Sequence, residues 1–287
     1  MASSHLRGIL SMAAAVASFS LMDLAMKQLV AVYPAMQVTF LRAAASLPLL
    51  LAATGFFGEW RDLIPKRWGL HILRGVLGVA MLWAFVQSVS ILSLADAYSI
   101  YMSAPLLITA LSMPILGEYV GWRRWIAVVV GLLGVIVILR PTGANVITTG
   151  GLLALGSAFI YAVSAVTIRI LSRTDSAAAT VAWAISTIAI IGGVLAIPTW
   201  VPLRGEHWPW IVCLGISGAL GQHFITAAFR RAPASVIAPL EYTALLWGMS
   251  FDWIFWSTTP SARMLSGAAI IVASGLYVIY REKQAAH

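Results

Sequence analysis

Apolar residues in this chain come in long blocks with short polar joints between them, and polar positions inside the blocks are few. Ten blocks can be drawn, over residues 8–30, 34–55, 69–92, 95–116, 124–139, 149–171, 177–198, 209–229, 234–256 and 262–280. Most approach the roughly 20 apolar residues that a helix needs to cross a bilayer. The joints are short, the longest being 56–68, and no soluble domain fits between them. The pattern predicts an all-α polytopic membrane protein with ten transmembrane helices.

One block departs from uniform apolarity in an informative way. Residues 232–252 read APASVIAPLEYTALLWGMSFD, with Glu241 near the middle and Pro233 and Pro239 upstream of it. A carboxylate at that depth costs a few kcal/mol even on lenient insertion scales, so it requires a partner, a proton or a wet cavity. Pro239 also denies the helix one backbone hydrogen bond. A near copy lies half a chain earlier, at 95–116, where Ala97 aligns with Ala234 and the tract from Pro105 aligns with the tract from Tyr242. Interrupted apolar segments at matching places in two halves point to a transporter's binding site.

The halves match elsewhere too. Gly8 parallels Gly150, Phe19 parallels Tyr161, Lys27 parallels Arg169, and Gly78 parallels Gly215, while the run to Gly134 parallels the run to Ser274 and Gly275. The division falls at 1–140 and 148–287. Five helices is an odd number, so the second copy enters the membrane upside down. The expected architecture is two inverted five-helix repeats around a central cavity. Pro105 and Pro239, with Gly78 and Gly215, are candidate hinge and packing positions.

Composition fixes the compartment. The chain of 287 residues is 61% hydrophobic and 10% charged, with mean hydropathy +0.92. Soluble domains are about a quarter charged. The net charge of +8 does not mark a nucleic-acid binder here, because basic residues retained on the cytoplasmic side set membrane orientation. With the N-terminus inside, that side receives Arg7, Arg61, Lys66, Arg67, Arg123, Arg124, Arg173, Arg230, Arg231, Arg281 and Lys283. The other side receives only Arg140, Arg204 and Arg263. Both termini are therefore expected in the cytoplasm, in a cell inner (plasma) membrane. The single cysteine, Cys213, excludes an intramolecular disulfide, and neither metal-ligand spacing nor a nucleotide-binding glycine loop is present,. No metal or cofactor is expected.

Candidate chemistry follows from depth. His223, in Gly-Gln222-His223-Phe224, and Glu241 fall near the middle of neighbouring spans. They fit either a structural hydrogen bond or a transport role, histidine being the side chain that titrates closest to neutral pH. Asp23 and Lys27 are four apart on one helix face and can neutralise one another. Asp252 is expected near the outer mouth, close to water, and Arg42 either as an anchor that snorkels outward or pairs with Asp23, Asp96 or a helix carboxy-terminus, or as a clamp for a substrate carboxylate. Trp83, Tyr98, Tyr101 and Tyr161 lie mid-helix or on the outer half, and Met102 shares a face with Tyr98. Aromatics on such helices favour flat or apolar solutes. The candidate substrate-binding set is Trp83, Tyr98, Tyr101, Met102, Tyr161, Gln222, His223 and Glu241.

Several motifs together resemble the drug/metabolite transporter superfamily, in its ten-helix form with doubled EamA domains. They are Phe40-Leu41-Arg42 early in the second span, Pro105 in the fourth, Leu116-Gly117-Glu118 leading into the fifth, and the run from Arg123 to Gly134, RRWIAVVVGLLG. The second copy departs from the pattern, with Thr258 in place of the glutamate and Trp183-Ala184 in place of Leu41-Arg42. Those losses mark Glu118 and Arg42 as local structural devices, Glu118 as a turn carboxylate for Arg123 or Arg124. The resemblance implies a secondary transporter that exports amino acids, aromatic or otherwise hydrophobic, or similar small metabolites by alternating access. The expected partners are a small-molecule substrate and the lipid bilayer, with the protein a monomer or weak homodimer. A lipid or lipid-carrier flippase on the same fold is the competing reading. An intramembrane enzyme would need converging nucleophile, base or metal-ligand groups that the sequence does not supply.

Overall fold

The computed structural model describes residues 2–57, 63–117, 121–139, 148–231 and 238–285. Glu118, Pro233, Trp60, Arg61 and Arg140 lie outside the described residues. The structure is helical throughout, with no strand among the described residues. The helices are α1 (Ala2–Val30), α2 (Ala35–Phe57), α3 (Trp68–Ile91), α4 (Leu94–Tyr101), α5 (Ala104–Leu116), α6 (Trp122–Leu139), α7 (Thr149–Leu171), α8 (Ala177–Ala196), α9 (Trp208–Arg231), α10 (Ala244–Trp256) and α11 (Ala262–Ala285). A 3-10 segment, Ala238–Thr243, leads into α10.

Among the described residues seven helical stretches are long and apolar enough to cross a membrane: Leu6–Val30, Ala35–Ala52, Trp68–Ile91, Leu94–Ile115, Thr149–Leu171, Ala177–Thr199 and Gly205–Ala228. Trp125–Ile138 and Ala262–Val278 are shorter apolar helices. Inside a bilayer every backbone polar group needs an internal partner, which a helix supplies along its length. The ends are closed by side chains. Ser93, Thr148 and Ser176 accept from the backbone N–H three residues on, at Asp96, Gly151 and Ala179,.

The two interrupted segments are visible as breaks. The fourth block is not one helix but two, α4 and α5, parted at Met102 and Ser103. Pro105, in the first turn of α5, has no N–H to donate back across the gap,. The ninth carries Pro239 and Glu241 in the tightened 3-10 turns and becomes α-helical only from Ala244.

The strongest packing runs between sequence-distant helices: α1 on α9, α3 on α7, α2 on α8 and α6 on α11. The 3-10 segment lies on α1, α5 lies on α7, and α10 lies on α4. The main core joins α1, α2, α3 and α4 through residues such as Met26, Leu29, Val38, Val86 and Leu94. α6 and α11 meet through small residues, Gly134 opposite Gly267, and turn an exposed apolar face outward at Val129, Leu133, Ile136 and Leu276. That pair is peripheral.

Candidate functional site

The short helix α4 presents two tyrosines three residues apart, hence on one face. Tyr98 is buried, stacks on Phe85 of α3 with ring centroids 6.3 Å apart, and donates its hydroxyl to Asp23 Oδ2 of α1 at 2.9 Å. Tyr101 meets Phe85 edge-on at 5.5 Å and Tyr161 of α7 at 5.6 Å, and its hydroxyl points to the sulfur of Met81 at 4.0 Å. Ser157 of α7 donates to the carbonyl of Met81 at 3.0 Å, which fixes α7 against α3 beneath the tyrosines. Gly248 lets α10 close on the other side, since a Cβ there would lie 2.8 Å from the Tyr98 ring. Four elements thus hold one aromatic set.

Charges flank that set. Glu241, half-buried in the 3-10 segment, has neither a hydrogen bond nor an ion pair among the described residues. Its charge lies within electrostatic reach of the hydroxyls of Tyr101, Tyr161 and Tyr242. Arg42 of α2 is half-buried, and among the described residues its one hydrogen-bond-like contact is Nη1 to the sulfur of Met26 at 3.8 Å. It acts electrostatically on Asp23, Tyr98 and Tyr101, and no carboxylate stands within ion-pair distance of it among the described residues. Arg74 of α3 donates to the carbonyl of Thr180 and lies within electrostatic reach of Tyr161, while its Nε is buried without a hydrogen-bond partner among the described residues. An aromatic set flanked by a carboxyl and a guanidinium that have no ion-pair partner among the described residues can bind a flat solute that has both charges.

Each end of the molecule carries its own network, and here two sequence expectations are corrected. Lys27 pairs with Asp252 and not with Asp23: its Nζ donates to Oδ1 at 3.0 Å, and it lies 4.3 Å from the centre of the Trp256 ring. Spacing of four along a helix makes a pair available, but α10 supplies Lys27 with a carboxylate that the sequence could not bring near. Asp252 is buried beside a surface recess at this end, and also accepts from the backbone N–H groups of Leu94 at 3.0 Å and Ala95 at 2.7 Å. Asp96, the other partner considered for Arg42, instead accepts from Ser93 at 2.8 Å. Nearby, Gln37 exchanges hydrogen bonds with the backbone of Val201, and the Tyr33 hydroxyl lies 2.8 Å from His207 Nδ1.

At the opposite end Asp175, between α7 and α8, accepts from the Lys66 amide at 2.6 Å, stands 3.1 Å from His71 Nε2, and accepts from the Thr174 hydroxyl. Burial alone would raise its carboxyl. The hydrogen bonds from Thr174, Lys66 and His71, with the charge of His71, outweigh burial and hold it well below the usual carboxylate range,.

The remaining sequence candidates fall in different places. Met102 is half-buried at the α4–α5 break and packs against the main core. Gln222 is half-buried on the same stripe of α9 as Gly215 and Gly218, which contact α2. His223 stands apart from Glu241, on the exposed stripe of α9 with Val212, Ile216 and Leu220. Trp83 is 37% exposed. It lies two residues from both Met81 and Phe85, about 200° around the helix, and so points away from the tyrosines. Phe85, Met81, Asp23 and Arg74 belong beside the site but were not singled out for it. Phe85 and Met81 are four apart, a shared-face signal that would have found them.

Two surface depressions stand apart from the tyrosines. A groove of about 410 Å³ runs between α6 and α11, past Arg123, Ile126, Val130 and Tyr277. A recess of about 80 Å³ lies beside Asp96 and Asp252. Among the described residues no group of three or more His, Cys, Asp or Glu side chains is placed to hold a metal ion.

Comparison with known proteins gives one family and several relatives. The sequence profile of the EamA-like transporter family matches residues 6–140 and again residues 148–281. A riboflavin transporter of Vibrio cholerae is 30% identical over 85% of this chain and 83% of its own length. A pseudopaline exporter of Pseudomonas aeruginosa is 27% identical over 93% of this chain and 94% of its own. An S-adenosylmethionine uptake transporter of Rickettsia felis is 27% identical over 87% and 84%. A solved crystal structure at 20% identity superposes with a TM-score of 0.67 over 97% of each chain, and so shares the fold.

Proposed function

The chain belongs to the EamA-like transporter family, and from that premise we propose that it exports aromatic or other hydrophobic amino acids, or similar small metabolites, by alternating access. It is a multi-pass membrane protein and a small-molecule transporter, not an enzyme. The finer reading is ours: ten spans in two inverted repeats, in an inner membrane, with both termini cytoplasmic. The reciprocal packing supports it. α1 on α9 answers α7 on α3, and the 3-10 segment on α1 answers α5 on α7. The breaks at Met102–Ser103 and Ala238–Thr243 fall at matching places, as expected for a site between repeats,.

The observation that carries the substrate reading is that Glu241 and Arg42, beside the tyrosines, have no ion-pair partner among the described residues. Glu241 meets the ammonium, Arg42 the carboxylate, and Tyr98, Tyr101, Tyr161 and Phe85 the flat body. Met102 and Gln222, both half-buried, are the remaining candidates for the wall. Desolvating either end of an amino acid without a partner would cost several kcal/mol. Each charge-assisted contact is worth about 1.5–3 kcal/mol. The pseudopaline exporter supports export, whereas the S-adenosylmethionine uptake transporter supports the reverse.

Proteoliposomes test the reading. Reconstituted protein loaded with an aromatic amino acid should exchange it for the labelled solute faster than empty liposomes do. Uncharged aromatic analogues should compete poorly. With equal competition from both, the charged ends would not be recognised. With no exchange but measurable lipid scrambling, the function would pass to the flippase reading, which the groove beside Arg123 favours.

A further inference from the structure

The buried pair Lys27–Asp252 is more elaborate than a charge neutralisation requires. Asp252 takes three donors, Lys27 Nζ and the two backbone N–H groups that open α4, and it is 2% exposed. Those amides are the first orphan donors of a helix, where a carboxylate is favoured both by hydrogen bonding and by the helix dipole. Three elements therefore meet at one side chain. α1 and α4 come from the first half of the chain, and α10 from the second.

Both strands of this grip lead to the candidate site. α4 carries Tyr98 and Tyr101, and Lys27 stands one turn along α1 from Asp23, which holds Tyr98. α10 continues directly from the 3-10 segment that carries Glu241. A shift of that segment toward a bound solute moves Asp252, and Asp252 can move only by releasing α4 or dragging it along. A buried ion pair adds little net stability compared with apolar packing, because desolvation offsets the attraction; its best-attested use is to specify one arrangement over another. Here the arrangement specified is the docking of α4 and α1 on α10 at the end that holds residues 92–94, 199–207 and 257–261.

From this geometry we infer that Asp252, Lys27 and the amino end of α4 form the outer gate of the transport path, closed in this structure and released when the solute is exchanged with the outside. Asp252 and Lys27 are positioning residues, since neither reaches the tyrosine set. The inference rests on the transporter reading above and on its orientation, which puts this end outside the cell.

Side-specific labelling tests it. Ser99, one turn into α4 from the gripped amides, is fully buried, and Ser99→Cys in a Cys213→Ala background places one thiol behind the gate. In intact cells a membrane-impermeant maleimide should label it slowly. Lys27→Gln, Asp252→Asn and the double variant should each speed labelling roughly tenfold or more, as the outward-open population rises. Lys27→Gln leaves Asp252 on the two amides, so it should fold even where Asp252→Asn does not, and the double variant leaves no lone buried charge. Folded Lys27→Gln and double variants that label at the parent rate would overturn the gate. Fast labelling seen only in inverted vesicles would overturn the orientation instead, separating that failure from the first.

Discussion

Asp175 shows how much a single side chain can settle. It sits in the joint between α7 and α8, and beside its neighbour Thr174 its partners are Lys66, just before α3, and His71, in the first turn of α3, so it locks the ends of helices that pack on one another. Its folded-state pKa lies below the ordinary 3.8. The carboxylate therefore contributes stability at all pH above that value and loses it as pH falls below 3.8 toward the depressed folded value. Asp175→Asn should remove this acid limb. Thermal unfolding of the purified protein, compared between about pH 5 and about pH 3, should show the wild type losing more than the variant. Parallel losses would mean that the network holds no differential charge. The sequence offered no route to Asp175, because Lys66 and His71 lie more than a hundred residues away. Lys27 taught the same lesson in reverse. A helix spacing of four suggested Asp23, and only the tertiary fold could choose Asp252.

Among the elements, the interrupted pair was the most legible. Pro105 and Pro239 cannot donate to a helix, and the chain breaks next to the first and tightens into a 3-10 turn around the second,. Orientation around each helix was harder to read. Trp83 and His223 lie on outward faces, because in an apolar helix hydropathy does not separate a lipid-facing stripe from an inward one. The paired glycines Gly78 and Gly215 look equivalent in sequence and are not equivalent in packing. A Cβ at Gly78 would meet the tip of the Ile188 side chain at 2.8 Å, whereas one at Gly215 would meet the backbone carbonyl of Ala45 at 2.7 Å. A side chain can turn aside and a helix backbone cannot, so Gly215→Ala should cost about 1–3 kcal/mol and Gly78→Ala much less. Thermal midpoints of the two variants check this, and equal shifts would contradict the packing described for α9 on α2.

At the scale of the molecule, apolar block length and repeated motifs were enough to reach the membrane class and the family. The arithmetic behind them is that of the bilayer, about 20 residues per span. Which charges face each other was not legible, because Arg42, Glu241 and the tyrosines come from α2, the 3-10 segment, α4 and α7, elements far apart in sequence. The central claim is that a solute lies among these tyrosines, with its carboxylate toward Arg42 of the first half and its ammonium toward Glu241 of the second. Equilibrium binding to purified protein tests that most directly, using an aromatic amino acid, the matching amine without the carboxylate, and the matching acid without the ammonium. Arg42→Gln should weaken the amino acid and the acid by about 10–100-fold and spare the amine, whereas Glu241→Gln should weaken the amino acid and the amine by a similar factor and spare the acid. Equal weakening of all three ligands by both variants would contradict the claim and leave the two charges as supports of the fold.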